Sequence, residues 1–174
     1  MRVYVASAYE TALKYGKDKK FVRDLALKAL DQANQKFDSS DELFSPVLSF
    51  MNKHEDKSRD VVMQLCFDEL RQCDALFVPN LKYTILSEGV KDEFEFAINN
   101  GKEIFFESLS MWEIFLRRRE YQKKDTKDTK SNDIALLKYM IEIQNENLKF
   151  AFEKLAFLFS KVEDIHKSLK EDHV

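Results

Sequence analysis

The stretch Ser87-Glu88-Gly89-Val90-Lys91-Asp92-Glu93-Phe94-Glu95-Phe96-Ala97-Ile98-Asn99-Asn100-Gly101-Lys102-Glu103-Ile104-Phe105-Phe106 decides the fold, because its apolar period changes once, at a glycine. Val90, Phe94, Ala97 and Ile98 share one face of a helix. Ser87 is a natural N-cap, and Asn99-Asn100-Gly101 stops the helix. Glu103 to Phe106 then reads as a buried strand. Toward the N-terminus, Ala75-Leu76-Phe77-Val78-Pro79 is another buried strand, preceded by a helix from about Ser58 to Cys73 that carries Val62, Met63, Cys66, Phe67 and Leu70 on its apolar stripe. Leu43-Phe44-Ser45-Pro46-Val47 reads as a short strand stopped by its proline, with loop and short helix from there to Ser58. After Gly16, the residues Val22, Leu25, Ala26, Ala29, Leu30, Ala33 and Phe37 recur at helical spacing. Val3 to Ala6 is the first strand. Strand and helix thus alternate four times. That order predicts an α/β domain with a flavodoxin- or Rossmann-like parallel sheet, helices on both faces, and a ligand site beyond the carboxyl ends of the strands.

Composition agrees with one domain plus an extension. The chain has 174 residues, 44% hydrophobic and 34% charged, with only three glycines and two prolines, which excludes collagenous, linker-rich and turn-dense all-β classes. Lys and Arg number 28 against 31 Asp and Glu, so no net positive field draws the chain to a nucleic acid polymer. Cys66 and Cys73 stand seven apart in a helical stretch, a rise of about 10 Å, too far for a bridge within one helix. Reduced thiols, a cytoplasmic location and no membrane partner are the expectation, since Met1-Arg2-Val3-Tyr4-Val5-Ala6 is too short for a signal peptide and no apolar run approaches ~20 residues.

The organisation read from the sequence is an α/β domain over 1–107, a short helix in 108–122, a polar linker over 123–133 and a long amphipathic helix over 134–174. The last reads in heptads, with Ile134, Ile141, Leu148, Leu155, Val162 and Leu169 at one position. Such a helix spans roughly 50 Å, and Phe152 and Phe159 widen its stripe beyond a two-stranded seam. It is expected to build a homo-oligomer; the alternative is that it folds back over its own domain.

Glu93 falls inside the apolar stripe of its helix, three residues after Val90 and four before Ala97. A carboxylate there must be paired, protonated or facing a cleft, because burying a bare charge costs several kcal/mol. Near a strand-end cleft it is a candidate nucleophile or general base; the bland alternative is an edge residue with its head in water. Ser87 and Gly89 open the same helix, and a hydroxyl, free backbone N–H groups and a glycine make an anion site, or simply an N-cap. His54 reads as a surface residue of a polar loop, and His166 and His173 have no ligand spacing, so neither metal nor cofactor is expected. Arg117-Arg118-Arg119 with Lys123-Lys124 is a basic patch that is either a solvated face or a phosphate contact, and Trp112 and Phe115 read as core or interface.

Tyr4-Val5-Ala6-Ser7-Ala8-Tyr9 at the first strand end, Ser45-Pro46 at the second, Cys73-Asp74-Ala75 before the third, and Ser87-x-Gly89-x-x-x-Glu93-x-x-x-Ala97 with Gly101 resemble the nucleoside 2-deoxyribosyltransferase-like family, which includes deoxynucleoside monophosphate N-glycosidases. The resemblance covers about residues 1–107. It implies attack on the N-glycosidic bond of a small-molecule nucleoside or nucleotide. Glu93 matches the family's nucleophile and Tyr4 the tyrosine that orients it. Ser87 and Gly89 match the loop receiving the sugar's 5′ side, and Ser7, Tyr9, Pro46 and Cys66 are the further substrate-binding positions. Two departures stand out. Ser7-Ala8 replaces the usual Gly-Pro or Gly-Ser, and Cys66 occupies the position, eight residues before Asp74, where the family often has an aspartate assisting the base or leaving group. Asp68 lies about 200° further around the helix and cannot substitute. A thiol is a poor proton donor near neutral pH, which also admits a nucleotide-binding or sensor module with weakened catalysis and a helical assembly tail, or an assembly protein on a scaffold domain.

Overall fold

In the computed structural model, which describes residues 1–54 and 56–124, Val3 to Val5 are fully buried in strand β1 (Arg2–Val5). The sheet is completed by β2 (Glu42–Phe44), β3 (Ala75–Val78) and β4 (Glu103–Phe106), all parallel, in the order β2-β1-β3-β4. Alternation along the strands sends Val3, Val5, Ala75 and Phe77 to one face, against Ala29 and Ala33 of helix α2 (Lys19–Asn34). Tyr4, Leu76, Val78 and Phe106 point to the other, against α4 (Arg59–Gln72), α5 (Glu88–Asn99) and the start of α6 (Leu109–Lys124). The expected α/β domain with a parallel sheet and helices on both faces is therefore what the chain forms.

The chain leaves β1 toward β2 on one side and later returns to β3 on the other. This reversal opens a crevice past the carboxyl ends of β1 and β3, where side chains and helix N-termini converge. Local chemistry fixes the helix ends there. Asp18 accepts from the Phe21 N–H at 2.7 Å and Ser87 Oγ from the Val90 N–H at 3.3 Å. Gly101, at φ 64°, closes α5 in the left-handed conformation. Lys102 Nζ donates to the Arg71 and Cys73 carbonyls at 2.7 Å each, a cation on the C-terminal end of α4.

Three readings are corrected. Ser45-Pro46-Val47 does not end a strand: β2 stops at Phe44, and Pro46 is the first residue of helix α3 (Pro46–Phe50), with Ser45 accepting from Leu48 N–H. The first-strand loop contains a helix, α1 (Glu10–Lys14), which the sequence reading lacks. The short helix expected within 108–122 runs from Leu109 to Lys124 and so enters the tract read as linker. Met1–Leu116 form one compact unit, since Met111, Ile114 and Phe115 are buried, whereas Trp112 stays 46% exposed. The rest of the linker and the 134–174 helix lie outside the described residues. Among the described residues, no helix is long and apolar enough to cross a membrane, and both cysteines are free, buried thiols.

Candidate functional site

Tyr4 stands on β1 with its ring tilted against Phe44 of β2, 5.9 Å between centroids, on the sheet face covered by α4, α5 and the start of α6. There Oη donates to Glu93 Oε1 at 2.6 Å, in a contact buried on both sides: Tyr4 is 0% and Glu93 5% exposed. The Glu93 position in the α5 stripe is thus explained by a partner rather than by an edge. The carboxylate's second oxygen, Oε2, is buried and has no hydrogen-bond partner, and neither has Ser7 Oγ.

Glu93 and Ser7 line a cavity of about 340 Å³ whose walls come from the β1 loop and from α1 to α5. Ser7 and Tyr9 enter from the β1 loop, Pro46 from the start of α3, Cys66 from α4, and Ser87, Gly89 and Glu93 from α5. All the substrate-binding positions expected from the sequence therefore face one space, and Tyr4 reaches it through Glu93. Phe50, Met51, Val62 and Met63 add an apolar wall.

Burial pushes the Glu93 carboxyl up to about 8, against the opposing hydrogen bond from Tyr4 and with a smaller upward push from the Asp92 charge. The Tyr4 hydroxyl is held well above its ordinary range, first by burial and then by Glu93. The Cys66 thiol, beside the same hydroxyl, is pushed up to about 12, by burial first and the Glu93 charge second. All three groups are thus shifted toward their protonated forms.

The sequence reading missed the cations of this cavity. Lys14, Lys19, Lys57 and Arg59 line it, and so does His54, half-buried with its ring tilted against Phe50 at 5.5 Å between centroids. His54 thus keeps the loop position read from the sequence and also borders the cavity. Arg59 forks to Glu10 at 3.0 Å and Asp92 at 2.9 Å, tying α1, α4 and α5 together around the mouth. These bonds are partly exposed, so their value is positional more than energetic.

Gly89 sits in the first turn of α5, and a Cβ built there meets Met63 Sδ at 3.7 Å and Ser87 Oγ at 3.8 Å, ordinary contact distances. The fold itself does not require a glycine here. No group of three or more His, Cys, Asp or Glu side chains among the described residues is placed to hold a metal ion. No family model, curated protein or solved structure matches the chain.

Proposed function

We propose that this site acts on the N-glycosidic bond of a nucleoside or nucleotide, by hydrolysis or deoxyribosyl transfer, with Glu93 as nucleophile. The observation that carries the reading is the buried Tyr4–Glu93 hydrogen bond, which holds one carboxylate oxygen and leaves the other without a partner on a residue lining the cavity. An oxocarbenium-like transition state develops positive charge at the anomeric carbon, which a fixed carboxylate stabilises and then captures. The α5 N-terminus, with Ser87 and Gly89, receives the 5′ side of the sugar, where backbone N–H groups favour a phosphate. The apolar wall takes the base.

The resemblance to nucleoside 2-deoxyribosyltransferase-like proteins and the flavodoxin-like sequence of strands support the same reading. So does the reversal of strand order next to the cavity. A cytoplasmic setting and a homo-oligomer built through the 134–174 helix complete the proposal. The buried Cys66 thiol favours a second reading, a pocket that binds a nucleotide without turning it over.

Chromatographic detection of free base from a mixed panel of deoxynucleosides, deoxynucleotides and dinucleotides separates the two. Base release supports catalysis. A thermal shift without base release supports the binding module.

A further inference from the structure

Resting on the N-glycosidic reading, we propose that the bond cleaved belongs to a nucleotide whose base carries a positive charge, such as a pyridinium or an N-alkylated purine, rather than a neutral base. A neutral base leaves as an anion unless a proton reaches it, so its departure needs a general acid. Among the described residues, the tyrosine, thiol and carboxylate groups nearest Glu93 do not offer one. The Tyr4 proton is already donated to Glu93 Oε1 at 2.6 Å, and the neighbouring Cys66 side chain is a buried thiol. Glu10 is engaged in an ion pair with Arg59 at 3.0 Å, and Glu88 in one with Lys91 at 3.2 Å. A cationic base needs no proton, because it departs as a neutral molecule.

Ground-state electrostatics point the same way. Glu93 Oε2 is buried without a hydrogen-bond partner, and burial disfavours its charge. A positive charge on the bound ligand, spread from the base to the anomeric carbon, supplies the missing counter-charge and draws the carboxyl into its reactive, ionised form. Lys14, Lys57 and Arg59 on the same cavity suit the phosphate of such a zwitterionic nucleotide. The step balances. Glu93 Oε2 bonds to the anomeric carbon as the carbon–nitrogen bond breaks, and its electron pair goes to the ring nitrogen, cancelling the positive charge. Water then attacks the anomeric carbon, the ester oxygen takes back its pair as carboxylate, and one proton leaves to solvent.

The test is base release by the full chain from nicotinamide mononucleotide and N7-methylguanosine monophosphate, beside AMP, dAMP and GMP. The charged-base nucleotides are expected to show kcat/KM higher by about 10²-fold or more, the contribution of the general acid that the neutral ones lack. Cys66→Asp is expected to narrow that ratio by raising release from the neutral set. Comparable release from both sets by the native chain overturns the proposal. Loss of that neutral-base release in His54→Gln would then identify His54 as the acid. Failure of every nucleotide to release base instead overturns the N-glycosidic reading on which the proposal rests. The native-chain comparison stands whether or not Cys66→Asp folds.

Discussion

Tyr4 and Glu93, 89 residues apart in the chain, meet in a 2.6 Å hydrogen bond between a sheet strand and a helix, with both side chains buried. Each explains the other. A tyrosine hydroxyl fully out of water needs an acceptor, and a carboxyl in an apolar stripe needs a donor.

Breaking this pair is expected to cost stability and to move the carboxyl further. Tyr4→Phe leaves Glu93 Oε1 without its donor, a loss of about 1–3 kcal/mol. Because the bond from Tyr4 opposes the upward push of burial, the Glu93 carboxyl rises further in the variant. Urea unfolding reads the first effect, and an upward displacement of the ascending limb of the pH–rate profile reads the second. Unchanged values in both measurements would mean that the bond does not hold Glu93.

Stability itself is expected to depend on pH through Glu93. The folded-state carboxyl is raised from 4.5 to about 8, so between those values the native state binds a proton that the unfolded state does not. Its contribution is fully present below about pH 4.5 and is lost as pH rises through about 8. Glu93→Gln keeps the shape and abolishes this slope. Urea unfolding across pH 5 to 9 is therefore expected to show a native-minus-variant stability difference that falls as pH rises. A flat difference would show that the carboxyl titrates normally.

Gly89→Ala separates fold from ligand. A Cβ there makes only ordinary contacts, and replacing a glycine in a helix stabilises by roughly 0.5–1 kcal/mol. Thermal unfolding is expected to be unchanged or higher. Inorganic phosphate and AMP are expected to bind more weakly by calorimetry, because the methyl group intrudes on the approach to the α5 N-terminus. Equal affinity in both proteins would remove the anion role of this turn.

The two thiols are expected to be chemically quiet. Cys66 is 6% and Cys73 1% exposed, and burial raises both, to about 12 and about 11. Labelling with a thiol reagent at neutral pH should proceed only when denaturant is added. Rapid labelling of Cys66 in the native protein would show that the cavity floor opens.

How far the sequence carries this account differs from residue to residue. Glu93 is legible because a carboxylate interrupts a regular apolar stripe, a conflict that periodicity exposes directly. Tyr4 is not legible that way, since in a buried strand it reads as one more apolar position; only the resemblance marks it. The parallel sheet follows from alternation of strand and helix, but Ser45-Pro46 fits a strand stop and a helix start equally well. The Ser45 cap and the Pro46 ring decide for the helix. Helix α1, five residues long, is too short to show a period. Lys14, Lys57 and Arg59 leave no trace in any pattern, because exposed cations acquire meaning only when the topology brings their loops to one cavity.

The most direct measurement is the rate of base release from the mixed nucleotide panel by the native chain and by Glu93→Ala, each checked by circular dichroism for an intact fold. A nucleophilic Glu93 predicts release by the native chain and a loss on the order of 10⁴-fold in the variant, with the fold retained. Equal release by the two proteins would contradict it.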